Sequence, residues 1–261
     1  MLLNFQKYQG TGNDFVMIDQ RGQKFIDHDD QKLIESLCDR RFGIGADGLI
    51  LLEKSEEHDF KMVYFNADGR QSTMCGNGGR CIVHFAWSLG VCDKETIFEA
   101  IDGLHKGKIF DSNVVSIQMS DVLKVDVKTP KTYILNTGSP HFVKLMEDLP
   151  KNIKVSGAEI RYSDPYKQEG VNVNFVKINE GNIEVATYER GVEDETLSCG
   201  TGVTAAAIAT FLDQGAKNNN VNIQTKGGQL SVSFEQDGDT FRNIWLTGPA
   251  VKVFDGSVKL K

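Results

Sequence analysis

The sequence has no Cys-x-x-Cys pair, no basic block, no low-complexity tract and no apolar run approaching the ~18 residues of a membrane span. Each absence removes a class of protein. Without a Cys-x-x-Cys pair, and with His28, His58, His84, His105 and His141 in no metal-ligand spacing, zinc chemistry has no support. A balance of 29 Lys+Arg against 36 Asp+Glu, a formal net charge of −7, argues against nucleic acid or an anionic membrane as principal partner. The first residues, Met1 to Lys7, lack the charged-then-apolar order of a secretory signal, so a cytoplasmic protein is expected. Cysteine is sparse and odd in number: Cys38, Cys75, Cys81, Cys92 and Cys199. In a long chain with no sign of secretion, that argues against a disulfide framework.

What is present is globular. Forty per cent hydrophobic and 25% charged residues exclude disorder or a fibrous architecture for the whole chain. At about 150 residues per domain, 261 residues make one large domain or two small ones. Short β-branched segments predict strands at Lys61–Phe65, Val114–Met119, Val171–Val176 and Ile183–Tyr188. Longer helices are predicted from Gly79 to Leu89, stopped by Gly90, and from Gly202 to Leu212; a weaker amphipathic one covers Asp30 to Cys38, and Asn218–Asn220 reads as a loop.

The chain also repeats itself. Tyr64 and Tyr188 stand 124 residues apart, and eleven residues after each comes a Cys-Gly-x-Gly: Cys75-Gly76-Asn77-Gly78 and Cys199-Gly200-Thr201-Gly202. A predicted helix follows each. Nearer the start of each half lie a second pair of related strings, Thr11-Gly12-Asn13-Asp14-Phe15-Val16 and Thr137-Gly138-Ser139-Pro140-His141-Phe142-Val143. Two homologous halves, divided near residue 119 and facing one another across a cleft, are therefore expected.

A Cys-Gly-x-Gly where a turn feeds a helix has a chemical consequence. Glycine permits a tight bend there. The first amides of a helix have no partner within it, and the dipole leaves partial positive charge at that end. Such a turn binds an anion and draws a cysteine's pKa from ~8.5 toward neutrality. One such cysteine suggests a nucleophile, whereas two suggest a paired acid and base. That pairing suits stereoinversion at a carbon α to a carboxylate: one thiolate removes a proton and the other thiol returns one to the opposite face. With no lysine in a pyridoxal-phosphate motif and no metal-ligand set, a reaction without cofactor or metal is expected. For any single cysteine or glycine, packing and turn formation are the competing explanations.

Six ordered strings then carry a resemblance: Gly10–Val16, Arg41–Gly48, Phe65–Gly69, Met74–Cys81, Tyr188–Gly191 and Cys199–Gly202. Over essentially its whole length the chain resembles the diaminopimelate epimerase family. The resemblance implies an α+β fold of two pseudo-symmetric halves, each a mixed, mostly antiparallel sheet wrapped around a central helix. Residues 1–118 would carry Cys75 and be completed by the strand in 249–261; residues 119–248 would carry Cys199. It implies interconversion of LL- and meso-diaminopimelate, on the bacterial route to lysine and peptidoglycan precursors. Cys75 and Cys199 would be the catalytic thiols. Asn13, Asn66, Asn172, Glu189 and Arg190 would contact substrate, and the amides of Gly76, Asn77, Gly200 and Thr201 would grip the α-carboxylate. His141 and Glu189 would tune the thiols. Arg190 could form a fork to the distal carboxylate.

The chain also departs from the family pattern. Many relatives carry glutamine at Gly48 and asparagine at Ser139, and the loop Gly191–Thr196 is one residue longer than the commoner spacing. Phe254 stands where an aromatic residue, often tyrosine, supports a homodimer. Cys38, Cys81 and Cys92 are expected to pack. Three other readings stay open: a proline or hydroxyproline racemase on the same fold, a Cys75–Cys199 redox protein, and a metabolite-binding protein on an inactive enzyme fold.

Overall fold

The computed structural model describes every residue except Ser112 and Lys261. The chain divides into two compact units, Met1–Ile117 with Gly248–Lys261, and Gln118–Thr247. Through the first unit run β1 (Leu2–Gly10), β2 (Asn13–Asp19), α1 (Gln31–Cys38), β3 (Gly48–Glu53), β4 (Phe60–Asn66), β5 (Gln71–Ser72), α2 (Gly76–Ser88), β6 (Glu95–Ala100), β7 (Gly103–Asp111) and β8 (Val114–Gln118). The second holds β9 (Val125–Thr129), β10 (Thr132–Asn136), β11 (Pro140–Met146), α3 (Ile153–Arg161), β12 (Asn172–Asn179), β13 (Asn182–Glu189), β14 (Asp194–Thr196), α4 (Gly200–Asp213), β15 (Asn220–Thr225), β16 (Gly228–Asp237) and β17 (Thr240–Pro249). The last strand, β18 (Val251–Lys259), belongs to the first unit and pairs antiparallel with β1.

Both units use one strand order. In the first, β18, β1, β2, β3 and β4 lie side by side, with only β2 and β3 parallel among these pairs; β4 then pairs parallel with β6, which leads to β7 and β8. In the second, β9, β10, β11, β12 and β13 repeat that order with β11 and β12 parallel, and β13 pairs parallel with β15, then β16 and β17. The fold is α+β, with mixed, mostly antiparallel sheets.

Each sheet encloses a helix. Eleven of the thirteen residues of α2 and eleven of the fourteen of α4 are buried. Val203, Ala205, Ala206, Ala207, Ile208 and Ala209 make α4 apolar on every side, as a helix without a solvent face must be. Gly90 takes a φ of +67° just beyond α2, the left-handed conformation that ends a helix. The outer helices are amphipathic. Ile34 and Leu37 of α1 join Leu3, Val16, Ile18, Leu49 and Leu51 in one apolar cluster; Ile153 of α3 packs with Val173, Phe175 and Tyr188 in another. Among the described residues, no helix is long and apolar enough to cross a membrane.

Several expectations need correction. α2 begins at Gly76 rather than Gly79, and α4 at Gly200 rather than Gly202. Glycine's poor helix propensity hides both starts from sequence, and burial of the helix overrides it. Asn220 already lies in β15, so the Asn218–Asn220 loop is shorter than expected. α3 is absent from the sequence reading because Ile153, Val155 and Gly157 are weak helix formers. Its start is fixed instead by Asn152, whose side chain accepts from Val155 N at 3.1 Å. Gly157 is there for packing: a Cβ at this position would collide with Cβ of Tyr188 on β13. Gly157→Ala should therefore lower stability by about 1–3 kcal/mol despite alanine's better propensity. An unchanged or raised urea midpoint would show that the close approach is not needed.

Candidate active site

Cys75 and Cys199 occupy the same structural position in their units. Each is the N-cap of its buried helix, with extended backbone (φ −95°, ψ 134° for Cys75; φ −116°, ψ 112° for Cys199), and neither side chain caps the helix. The first helical bonds are Gly79 N to Cys75 O at 2.7 Å and Val203 N to Cys199 O at 2.9 Å. The amides of Gly76, Asn77 and Gly78, and those of Gly200, Thr201 and Gly202, thus lie ahead of the first intrahelical bond and carry the positive end of the dipole. The motif glycines are not there for an unusual φ, since none of these four has a positive one. The last of each motif is kept bare by its neighbours. A Cβ on Gly78 would press on Ile50 Cδ1 at 3.1 Å, and one on Gly202 would strike Oδ1 of Asn174.

The related strings near the start of each half converge on these turns. Thr11 Oγ1 donates to Asn77 Oδ1 at 3.3 Å, and Thr137 Oγ1 donates to Thr201 O at 2.8 Å. Asn13 hydrogen-bonds Cys75 Sγ through Oδ1 at 3.7 Å and accepts from Asn77 Nδ2 at 3.5 Å. What orients that amide is Asp47, which accepts from Asn13 Nδ2 at 2.6 Å. Asp47 in turn meets Arg40 Nη2 at 2.6 Å, and the same guanidinium reaches Asp14, which also pairs with Lys7 Nζ at 2.8 Å. Burial works against ionisation of Asp14, yet hydrogen bonds from Arg40 and Lys7 hold its carboxyl down at about 2.

Asn66 ends β4, exposed, and accepts from Tyr64 Oη at 2.9 Å. That tyrosine explains Gly48. A Cβ there would stand 2.5 Å from Phe65 O and 2.6 Å from Tyr64 Cε2, so the Tyr64 ring fills the space where a longer side chain would begin. The departure at Gly48 is a substitution of volume, with a phenol hydroxyl delivered to Asn66.

In the second unit Ser139 Oγ lies 3.3 Å from Thr201 Oγ1 and 3.0 Å from His141 Nε2, and accepts from Asn172 Nδ2 at 3.1 Å. Thr201 Oγ1 is 3.5 Å from Cys199 Sγ. Asn172 Oδ1 accepts from Arg190 N at 2.9 Å, tying β12 to the end of β13. Arg190 is exposed, with Nη1 donating to Glu169 O at 2.9 Å. His141 is fully buried; its Nδ1 lies 3.0 Å from Asn174 Nδ2, and burial, aided by the charge of Arg190, pushes it down to about 3. It is neutral at working pH. Burial raises the Glu189 carboxyl, partly offset by hydrogen bonds with the side chains of Thr196 and then Cys199. The longer loop after Arg190 closes on Glu193, at φ +59°, whose carboxylate accepts from Tyr188 Oη at 2.8 Å, Tyr162 Oη at 2.9 Å and Gly191 N at 3.1 Å.

The structure thus gathers Asn13, Asn77 and the Gly76 turn around Cys75, with Asn66 on the exposed end of β4. It gathers Ser139, His141, Thr201, Glu189 and the Gly200 turn about Cys199, with Asn172 and Arg190 attached through Ser139 and backbone. Asp47, Tyr64, Asn174 and Arg80 carry no site role from sequence, although Asp47 and Arg80 lie inside matched strings and Tyr64 anchors the repeat. Cys81 and Cys38 are buried, and burial pushes both thiols to about 12; half-buried Cys92 is raised to about 11. Among the described residues no three His, Cys, Asp or Glu side chains gather as metal ligands.

The ion pairs behind Asn13 predict an acid limb. Asp14 has its folded pKa below its unfolded value of 3.8, so its contribution is complete above about pH 4 and fades as pH falls toward 2. Asp14→Asn should cost about 1–2 kcal/mol near neutrality, the deficit closing below pH 4. Urea titrations across pH would read this, and a gap that stays constant down to pH 2.5 would contradict it.

Comparison with known proteins agrees with this arrangement. The family model for diaminopimelate epimerase matches the chain twice, at residues 5–125 and 133–253. The diaminopimelate epimerase of Flavobacterium psychrophilum is 53% identical over 258 residues, covering 98% of this chain and 100% of that protein. The one from Aquifex aeolicus is 40% identical, covering 97% of each. Solved structures share the fold at low identity. A PhzF-family phenazine biosynthesis protein of Bacillus anthracis superposes with a TM-score of 0.74 at 15% identity over all of both chains. A hydroxyproline epimerase of Agrobacterium vitis superposes with a TM-score of 0.67 at 15% identity, over 98% of this chain and 92% of its own. This chain belongs to the diaminopimelate epimerase family.

Proposed function

We propose that the chain interconverts LL- and meso-2,6-diaminopimelate by a two-base reaction of Cys75 and Cys199, supplying lysine and peptidoglycan precursors in the cytoplasm. The observation that carries this reading is the pair of cysteine N-caps, each heading a buried helix whose first amides precede any intrahelical bond. Relatives named as diaminopimelate epimerases, at up to 53% identity among those cited, support the substrate.

The chemistry follows from the turns. One cysteine, as thiolate, takes the α-proton; the C–H electron pair delocalises into the α-carboxylate. The extra charge on the carboxylate oxygens is met by the amides of Gly76, Asn77, Gly200 and Thr201, which are already oriented and need no rearrangement. The other cysteine, as thiol, gives its proton to the opposite face of the carbon. The substrate leaves inverted, and the two sulfurs have exchanged protonation states.

The distal amino-acid head falls to Asn13, Asn66, Asn172, Glu189 and Arg190. Arg190 gives one Nη1–H to Glu169 O, and a guanidinium has five donors, so a fork to a carboxylate remains available. Glu189 and neutral His141 tune the Cys199 side. No cofactor is called for. Phe254, 46% exposed on β18 and edge-on to Phe5 at 6.1 Å, supports a homodimer through that strand.

The test is α-proton exchange into deuterated water under reducing conditions, with LL-diaminopimelate and proline offered separately. Exchange is expected with the first alone; exchange with proline alone would overturn the substrate. Cys75→Ala and Cys199→Ala should each cut epimerisation by at least about a thousandfold while keeping the native circular dichroism spectrum. Near-full turnover in either variant would refute the two-base reaction.

A further inference from the structure

The 124-residue repeat sets Glu193 against Gly69, at the same turn of the backbone. Both take positive φ, +59° for Glu193 and +76° for Gly69. Both close the turn by donating backward, Glu193 N to Glu189 O at 2.8 Å and Gly69 N to Asn66 O at 2.9 Å. Glycine adopts that conformation freely, whereas a residue with a Cβ is strained there. A glutamate kept at a strained position points to work done by its side chain.

That side chain has four partners. One carboxylate oxygen accepts from Tyr188 Oη on β13 at 2.8 Å and from Tyr162 Oη, at the end of α3, at 2.9 Å. The other accepts from Gly191 N at 3.1 Å and lies 3.6 Å from Arg161 Nε. Burial works against its ionisation, but the hydrogen bonds from Gly191, Tyr188 and Tyr162 and the charge of Arg161 hold the carboxyl below its ordinary value.

Arg161 carries the connection onward. Its Nη1 donates to Tyr166 O at 3.3 Å and Lys167 O at 3.4 Å, in a turn that Gly170 N closes on Tyr166 O at 2.7 Å. A Cβ on Gly170, at φ +76°, would stand 2.8 Å from Arg161 Cζ and 2.5 Å from Arg190 Cδ, so both arginines lie against one glycine. Arg190 also donates to Glu169 O of that turn at 2.9 Å. The contacts form a closed ring. It runs from Arg190 through Gly191 to Glu193, from Glu193 to Arg161, and from Arg161 across the turn back to Arg190.

We propose that Glu193 is a positioning residue for substrate recognition: with Arg161 it holds the exposed guanidinium of Arg190 in place for the distal carboxylate. Fixing an arginine side chain costs rotamer entropy, and a ring formed on folding meets that cost before substrate arrives. This rests on the assignment of Arg190 to the distal head made above. It deepens that assignment by naming what aims the arginine.

The test is a set of kinetic constants for diaminopimelate, read by α-proton exchange into deuterated water. Glu193→Gly removes the carboxylate and suits the backbone, so KM should rise about tenfold while kcat stays within about threefold of wild type. Glu193→Gln keeps an acceptor for the tyrosines and loses the charge facing Arg161, and a rise of about threefold is expected. Because the ring acts through Arg190, adding Glu193→Gly to Arg190→Met should raise KM no further than Arg190→Met alone. An unmoved KM in the folded Glu193→Gly protein, or a rise that persists in full on the Arg190→Met background, would overturn the proposal. Should Glu193→Gly fail to fold, Glu193→Gln is read against the same two outcomes. No exchange in the wild-type protein would remove the reaction and this proposal together, whereas an unmoved KM in the variants removes this proposal alone.

Discussion

Much of this structure follows from one property of the backbone: the first amides of an α-helix have no acceptor within it, and the peptide dipoles leave positive charge beside them. Placing a cysteine at the N-cap puts a sulfur and a row of outward amides in one turn. The amides lose their strength if water competes for them, so the helix has to be enclosed, and eleven residues in each of α2 and α4 are buried. Enclosure requires a sheet that wraps around the helix, which the mixed strand order supplies twice. It also requires close packing at the helix start. Packing is tight at both: a Cβ on Gly78 would press on Ile50 Cδ1, and one on Gly202 would strike Asn174 Oδ1.

Because the same turn occurs twice, the differences between copies carry the information about roles. Thr11 and Thr137 do equivalent work, each holding the residue two beyond its cysteine. Asn13 and Ser139 share a position yet diverge: the amide is clamped by Asp47 so that its oxygen meets the thiol, whereas the hydroxyl joins Thr201, His141 and Asn172. The charges diverge most. Lys7, Arg40 and Arg80 lie among the elements behind Cys75, while a carboxyl, a neutral imidazole and the charge of Arg190 lie on the Cys199 side.

How much of this was legible from residues alone depended on whether a local rule carried the feature. Both cysteine motifs, the 124-residue repeat and the two central helices were legible, since each has a compact signature. α3 was not, because its propensities are poor and only its contact with β13 justifies Gly157. The repeat itself could have supplied it: α1 precedes β3 as α3 precedes β12, so extending the match would have placed a helix near 153–161. The meaning of Gly48 was hidden for a different reason. Its explanation lies on Tyr64, sixteen residues away in sequence and beside it only through the pairing of β3 with β4. Arg80 lies inside a matched string, but only the fold shows its guanidinium buried against Gly76 O, Thr11 Oγ1 and Asn77 Oδ1.

The unequal halves also answer a demand of the chemistry. A two-base inversion turns over only when one sulfur is charged and the other is not. If both thiols had the same proton affinity, at best about half of the molecules would hold a single proton at any pH, and those would divide between two arrangements with opposite stereochemical preference. Unequal affinities open a pH interval in which a single arrangement predominates. The repeated turn supplies the two sulfurs, and the side chains that differ between the copies give them unlike surroundings.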